Sequence, residues 1–149
     1  MSQSLSQIYV HLTFGTKRRY PFITEDIELE LHSYMVGIFR NKDSYVIKIN
    51  SVPDHIHILF CLSKNYALSK IVGEVKKKTS KWLKEKGISN FSWQIGYGAF
   101  SVSKYKVEVV KNYIINQKKH HKIKTYKEEV EEFAKKGNIV NYDEKFYWR

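Results

Sequence analysis

The sequence predicts an α+β fold: an antiparallel sheet with helices over one face, in the order βαββαβ, followed by one more helix and a short tail. Three observations predict it. An alternating apolar segment near the start is followed by a long amphipathic helix pattern. Two extended segments then meet at Pro53 and Asp54. A second amphipathic stretch precedes a glycine-bearing extended piece around residue 98. This order is the split βαβ, ferredoxin-like sandwich. Many unrelated activities share that architecture, so function must come from particular residues.

The first strand is QIYVHLTFGT, residues 7–16, with apolar residues at 8, 10, 12 and 14 alternating with polar ones. Thr24 is placed to cap EDIELELHSYMVGIFRN, where Ile27, Leu31, Met35 and Ile38 keep helical spacing and the first turn is acidic. SYVIKINSV and HIHILFCL read as a hairpin, because Pro53 and Asp54 between them favour a turn. From about 67 to 86 Leu68, Ile71, Val72, Val75, Thr79, Trp82 and Leu83 follow the 3.6-residue period, and Gly87 ends the helix. FSWQIGYGAFSVS, residues 91–103, reads as one or two extended pieces, with Gly96 and Gly98 marking a bulge or close backbone approach. A third helix is expected from roughly 104 to 121. A last short one follows in TYKEEVEEFAKKG, where Thr125 and Glu128 match a capping box and Gly137 a stop.

At 149 residues the chain fits a single domain, 1–149, with 42% hydrophobic and 15% aromatic residues arguing against disorder. No apolar stretch approaches the roughly 20 residues of a membrane span. MSQSLSQ lacks the basic and apolar regions of a secretory signal. Cys61 is the only cysteine, which excludes an internal disulfide and a zinc framework of paired CxxC motifs, and a cytoplasmic location is expected. Twenty-six Lys and Arg against 15 Asp and Glu leave a net charge of +11. Such an excess on a small domain points to nucleic acid.

The hairpin's second strand carries the first chemical signal, VPDHIHILFCL, residues 52–62. Strand parity puts His55 and His57 on one face and Ile56, Ile58 and Phe60 on the other. Two neighbouring imidazoles fit a metal site, a nucleic-acid contact, or a pair satisfied at the edge of a core. Cys61 shares their parity and reads as a small buried hydrophobe, while His11 and His32 have no evident partner in the sequence and read as structural or surface residues.

The second signal lies in KYKVEVVKNYIINQKKHH. On a helical wheel Val107, Val110 and Ile114 form one stripe, while Lys106, Tyr113, Gln117 and His120 form another beside it. If that polar stripe faces the imidazoles, two ring nitrogens and an amide oxygen can converge on a divalent cation, and mixed N and O ligation suits Mg²⁺ or Mn²⁺ acting on phosphate. A tyrosine hydroxyl beside a polarised phosphodiester is a nucleophile that forms a phosphotyrosine and expels a sugar hydroxyl. His120 is a candidate for proton transfer. Lys17, Arg18 and Arg19 after the first strand, with Lys76, Lys77, Lys78 and Lys81 on the second helix, are candidate phosphate contacts. Tyr97, Phe100 and the tail FYWR offer aromatics for stacking on bases.

At these residues the chain resembles the HUH-type single-tyrosine transposases of small bacterial insertion sequences, and their relatives associated with repeated palindromic DNA. The histidine-hydrophobe-histidine motif is His55, Ile56 and His57 within PDHIHILF, and the family's YIxNQxxHH segment stands as YIINQKKHH. HLTFGTKRRYP, EVKKKTSKWL and WQIGYGAFSVS are further family-like stretches. The resemblance implies Tyr113 as nucleophile and His55, His57 and Gln117 as ligands of Mg²⁺ or Mn²⁺. It implies single-stranded DNA with hairpin ends as substrate, a 5′-phosphotyrosine intermediate and no ATP. It also implies a homodimer of joined sheets in which the tyrosine helix of one subunit can serve the histidines of the other. The rival reading is a non-catalytic regulator of the same fold that binds hairpin DNA or RNA.

Overall fold

A computed structural model describes residues 2–137, 139 and 142–149. Four strands, β1 (Tyr9–Gly15), β2 (Tyr45–Val52), β3 (His55–Cys61) and β4 (Gly98–Val102), form one sheet in the order β2-β3-β1-β4. Every neighbouring pair is antiparallel, with Val52 opposite His55, Leu12 opposite Ile58, and Thr13 opposite both His57 and Gly98. The expected βαββαβ order holds. Thr16 pairs with Trp93 in an isolated bridge, so the extended stretch before β4 is two pieces. The register irregularity falls between Val46 and Lys48 in β2 rather than at Gly96 or Gly98.

Helices α1 (Glu25–Asn41) and α2 (Leu68–Glu85) cover one face of the sheet. Their apolar stripes, including Leu31, Met35, Phe39, Ile71 and Val75, pack on Leu12, Phe14, Ile56, Ile58 and Phe60 in one core. Gly87 ends α2 with φ of 106°, and the amide of Ile88 reaches the Leu83 carbonyl at 3.1 Å. That is a Schellman closure, which needs a left-handed residue and so favours glycine.

The opposite face is covered too, by the C-terminal third of the chain. It contributes α3 (Val107–Ile115), α4 (Gln117–Ile123), α5 (Tyr126–Lys136) and the short α6 (Glu144–Tyr147). The helix expected over 104–121 is therefore divided: a 3-10 turn at Lys104–Lys106 precedes α3, and a break at Asn116 separates α3 from α4. The cause lies on β2. The Asn50 amide nitrogen donates to the carbonyls of Ile114 at 2.8 Å and Ile115 at 3.3 Å, which diverts them from the helical ladder. Helix α5 begins as expected, with Thr125 and Glu128 forming a reciprocal capping box.

Candidate active site

The site starts from the pleat of β3. His55 and His57 are fully buried, and both point away from the apolar core toward α3–α5. Each ring is held at Nδ1. Asp54 Oδ1 lies 2.7 Å from His55 Nδ1, and His11 Nε2 lies 2.8 Å from His57 Nδ1. With both Nδ1 atoms engaged, both Nε2 atoms turn to the space under the C-terminal helices. Tyr126 at the start of α5 stacks on His55, with centroids 4.0 Å apart, and its hydroxyl hydrogen-bonds Thr13 at 2.9 Å. Gly15 permits that approach: a Cβ there would stand 2.9 Å from the Tyr126 ring.

Despite the break at Asn116, Tyr113 and Gln117 reach the same point. Gln117 Oε1 lies 3.0 Å from His55 Nε2, while its amide nitrogen donates to Glu129 Oε1 at 2.9 Å. The Tyr113 hydroxyl donates to that same Glu129 oxygen. His57 Nε2 is 3.0 Å from Glu129 Oε1, and His55 Nε2 is 3.6 Å from Oε2. One carboxylate on α5 thus joins the imidazole pair, the glutamine and the phenol, all from a single polypeptide. Lys118 fastens α4 beside them, with Nζ 2.8 Å from Glu28 on α1.

The electrostatics follow from burial and pairing. Burial opposes charge on His55, but the Asp54 and Glu129 carboxylates outweigh it and raise its pKa. His57 has a lowered pKa, because burial exceeds the help it receives from Glu129. Burial and the neighbouring His57 bring His11 down to about 3, so it is neutral at ordinary pH. Burial alone would raise Glu129, yet the adjacent His55 and His57 rings and the Tyr113 hydroxyl hold it far below the usual carboxylate range. Tyr113 is raised by burial and by the Glu129 acceptor.

This donor set fits a divalent cation. His55, His57 and Glu129 each offer one ligand atom, all within 4.8 Å of one another, so this buried group could hold a metal ion. Two of the atoms it would use, His57 Nε2 and Glu129 Oε2, are buried without a hydrogen-bond partner. Buried polar atoms normally find partners, and a cation between them supplies one.

The other sequence candidates lie at varied distances from this centre. His120 stacks on the Tyr113 ring with centroids 4.5 Å apart, whereas the phenol hydroxyl faces Glu129. A cleft of about 230 Å³ lined by Tyr113, His120, Lys124, Glu129 and Glu132 opens beside the phenol. Lys17, Arg18 and Arg19 form an exposed 3-10 turn, and the Arg19 guanidinium lies 5.1 Å from the centre of the Trp148 ring. Lys77, Lys78 and Lys81 are exposed on α2, and Lys106 is exposed in the 3-10 turn before α3.

Lys76 does not join the outer lysines. Its ammonium donates to the carbonyls of Gln94, Ile95 and Gly96 at 2.7–3.0 Å, and burial lowers its pKa to about 8. It straps the loop before β4. Tyr97, Phe100 and Tyr147 line a cavity of about 540 Å³ against α5, and the Phe146 side chain of FYWR lies outside the described residues. Cys61 is buried, as its parity suggested. His32 hydrogen-bonds Ser51 at 2.8 Å, away from the imidazole pair.

Three functional neighbours escaped the sequence reading: His11, Asn50 and Glu129. His11 carried a weak signal, since its parity on β1 places it on the same sheet face as Thr13. Glu129 follows Glu128 directly, and only the capping box fixes which of the two points outward. Asn50 carried none.

A sequence model of the family described as "Transposase IS200 like" matches residues 4–117. Two solved structures share the fold. A protein from Deinococcus radiodurans R1 assigned as a transposase aligns with a TM-score of 0.63 and 17% identity, covering 78% of this chain and 98% of its own. A REP-associated tyrosine transposase bound to a REP hairpin aligns with a TM-score of 0.61 and 18% identity, covering 81% of this chain and 74% of its own. No curated protein sequence matches the chain. Among the described residues no helix is long and apolar enough to cross a membrane.

Proposed function

This chain belongs to the IS200-like transposases, enzymes that cleave and rejoin DNA, and we propose that it works on single-stranded DNA with hairpin ends through a 5′-phosphotyrosine on Tyr113. The observation that carries this reading is the meeting of Tyr113, Gln117, His55 and His57 at one buried carboxylate. A nucleophile, a ligand set and a neighbouring cleft then share one place. The hairpin-bound structural neighbour supports the choice of substrate.

In this reading His55, His57 and Gln117, with Glu129 beside them, would hold Mg²⁺ or Mn²⁺, which when bound would polarise the scissile phosphate and offset its charge. The Tyr113 oxygen attacks phosphorus and forms the new O–P bond, while the bond from phosphorus to the 3′-oxygen breaks. The phenolic proton leaves to water in the cleft beside the phenol, and the departing 3′-oxygen takes a proton from water. A second strand's 3′-hydroxyl reverses the exchange, so no ATP is needed. In this proposal His120, stacked on the phenol and lining the same cleft, relays the phenolic proton. The exposed Lys17, Arg18, Arg19, Lys77 and Lys81 hold the DNA backbone.

The whole chain, 1–149, acts as one such domain in the cytoplasm, and two copies associate through an exposed sheet edge. Labelled single-stranded hairpin DNA incubated with Mn²⁺ and run on a denaturing gel tests the chemistry. A slower protein-linked band that Tyr113→Phe abolishes while hairpin binding persists is the expected result. Binding without any adduct in the unaltered protein would favour the non-catalytic regulator, and cleavage without an adduct would mean attack by water.

A further inference from the structure

We propose that His11 is a positioning residue for the metal: its Nε2 accepts the Nδ1–H of His57, which leaves His57 Nε2 without a proton and aimed at the cation. The proposal rests on the reading above that His57 is a ligand. A ring nitrogen that binds a metal must present a free lone pair, so the proton of a neutral imidazole has to reside on the other nitrogen. Something must hold it there.

The geometry supplies that holder. His11 Nε2 and His57 Nδ1 are hydrogen-bonded at 2.8 Å. On its other side His57 Nε2 lies 3.0 Å from Glu129 Oε1 and is buried without a hydrogen-bond partner. A proton on Nε2 would therefore be poorly received, whereas a proton on Nδ1 has an acceptor. The two ligand imidazoles are thus oriented by different chemistry: a carboxylate, Asp54, at 2.7 Å for His55 and a neutral imidazole for His57.

His11 is itself fixed. It stands on β1 one pleat from Thr13, the residue opposite His57, and is 4% exposed. Phe133 meets its ring edge-on with centroids 5.3 Å apart, and the Phe100 ring lies at 6.3 Å. Packed this way, the His11 ring is held in place as an acceptor for His57. A polar pair serving stability alone would not require either ring to have one particular tautomer.

The test uses the full chain, with His11→Leu removing the acceptor and His11→Gln retaining an acceptor near the position of Nε2. Mn²⁺ affinity is measured by the loss of the free-ion EPR signal, and the His57 tautomer by long-range ¹H–¹⁵N correlation in chelator-treated protein. We expect the Nδ1–H tautomer in the unaltered chain. Mn²⁺ binding should weaken about 10- to 100-fold in His11→Leu and be largely restored in His11→Gln. Unchanged affinity in His11→Leu, or a His57 proton on Nε2 in the unaltered chain, overturns the proposal. The second result remains decisive if His11→Leu does not fold. His57→Ala separates the two levels: undiminished Mn²⁺ affinity there removes the ligand reading and this inference with it. Affinity lost in His57→Ala but kept in His11→Leu removes this inference alone.

Discussion

The two faces of β3 are equally buried and differently held. Ile56, Ile58 and Phe60 on one side, and His55 and His57 on the other, are all fully buried. The first set is sealed by α1 and α2 through shape and apolar area, which are non-directional. The second is sealed by α3–α5 through atoms that must meet at 2.7–3.0 Å, and two of them remain without a hydrogen bond. The apolar face is complete in itself. The imidazole face retains unmet polar capacity at its centre, which is where a cation and a phosphate have something to gain.

Exchanges on the two faces should therefore separate chemistry from folding. Tyr113→Phe is expected to lower strand cleavage at least about ten-thousand-fold, with a change in stability of about 1 kcal/mol or less, measured by single-turnover nicking and urea unfolding. Ile58→Ala should show the converse. A cavity in the sealed core costs about 2–5 kcal/mol, while the folded fraction cleaves at an undiminished rate. A Tyr113→Phe protein as destabilised as Ile58→Ala would mean that the imidazole face is also a structural core, and the contrast would fail.

Acid should also affect the faces unequally. His11 is held down to about 3 by burial and by His57, against about 6.5 in an unfolded chain. The unfolded chain therefore takes up a proton that the folded one refuses, and stability falls as pH drops below 6.5. By pH 4.5 this amounts to about 2–3 kcal/mol. His55, with its raised pKa, acts in the opposite sense and contributes stability below 6.5 that is lost as pH rises through its folded value. The difference between the unaltered chain and His11→Gln isolates the first effect. In metal-free protein His11→Gln should lose about 2 kcal/mol less between pH 7 and pH 4.5, read from urea midpoints. The apolar face has no titrating group, so the cost of Ile58→Val should be the same at both pH values.

Period and parity made the apolar face legible before any coordinates. Alternation in β1 and β3, the spacing in α1 and α2, and Gly87 at the end of α2 all describe elements that seal a core by repetition. The HxH pair was legible as chemistry because it lies within one strand, and the YxxxQ spacing because the helical pattern runs on through the break between α3 and α4. The carboxylate that joins them was not. Glu129 reaches the site across a chain reversal at Lys124 and Thr125, and no periodicity carries information over such a turn. The break at Asn116 was hidden for a similar reason: the helix pattern runs through it, and the competing donor, Asn50, stands on another element. His11 looked structural because its partner is 46 residues away.

The smallest expected effect concerns the outer surface of α2, the helix that seals the apolar face. Lys77 and Lys81 are exposed there, whereas Lys76 on the same helix is committed to the carbonyls of Gln94, Ile95 and Gly96. If DNA bound at the imidazole face extends over α2, each exposed lysine contributes one phosphate contact and nothing to base choice. Lys77→Gln or Lys81→Gln should then reduce the slope of log affinity against log salt by about 1, measured by hairpin binding across a salt series, and leave the cleavage rate of bound DNA unaltered. Lys76→Met should do the reverse, loosening the loop before β4 by about 1–3 kcal/mol with the salt slope nearly intact. Identical slopes in all three variants would confine the DNA to the imidazole side, and α2 would serve the apolar core alone.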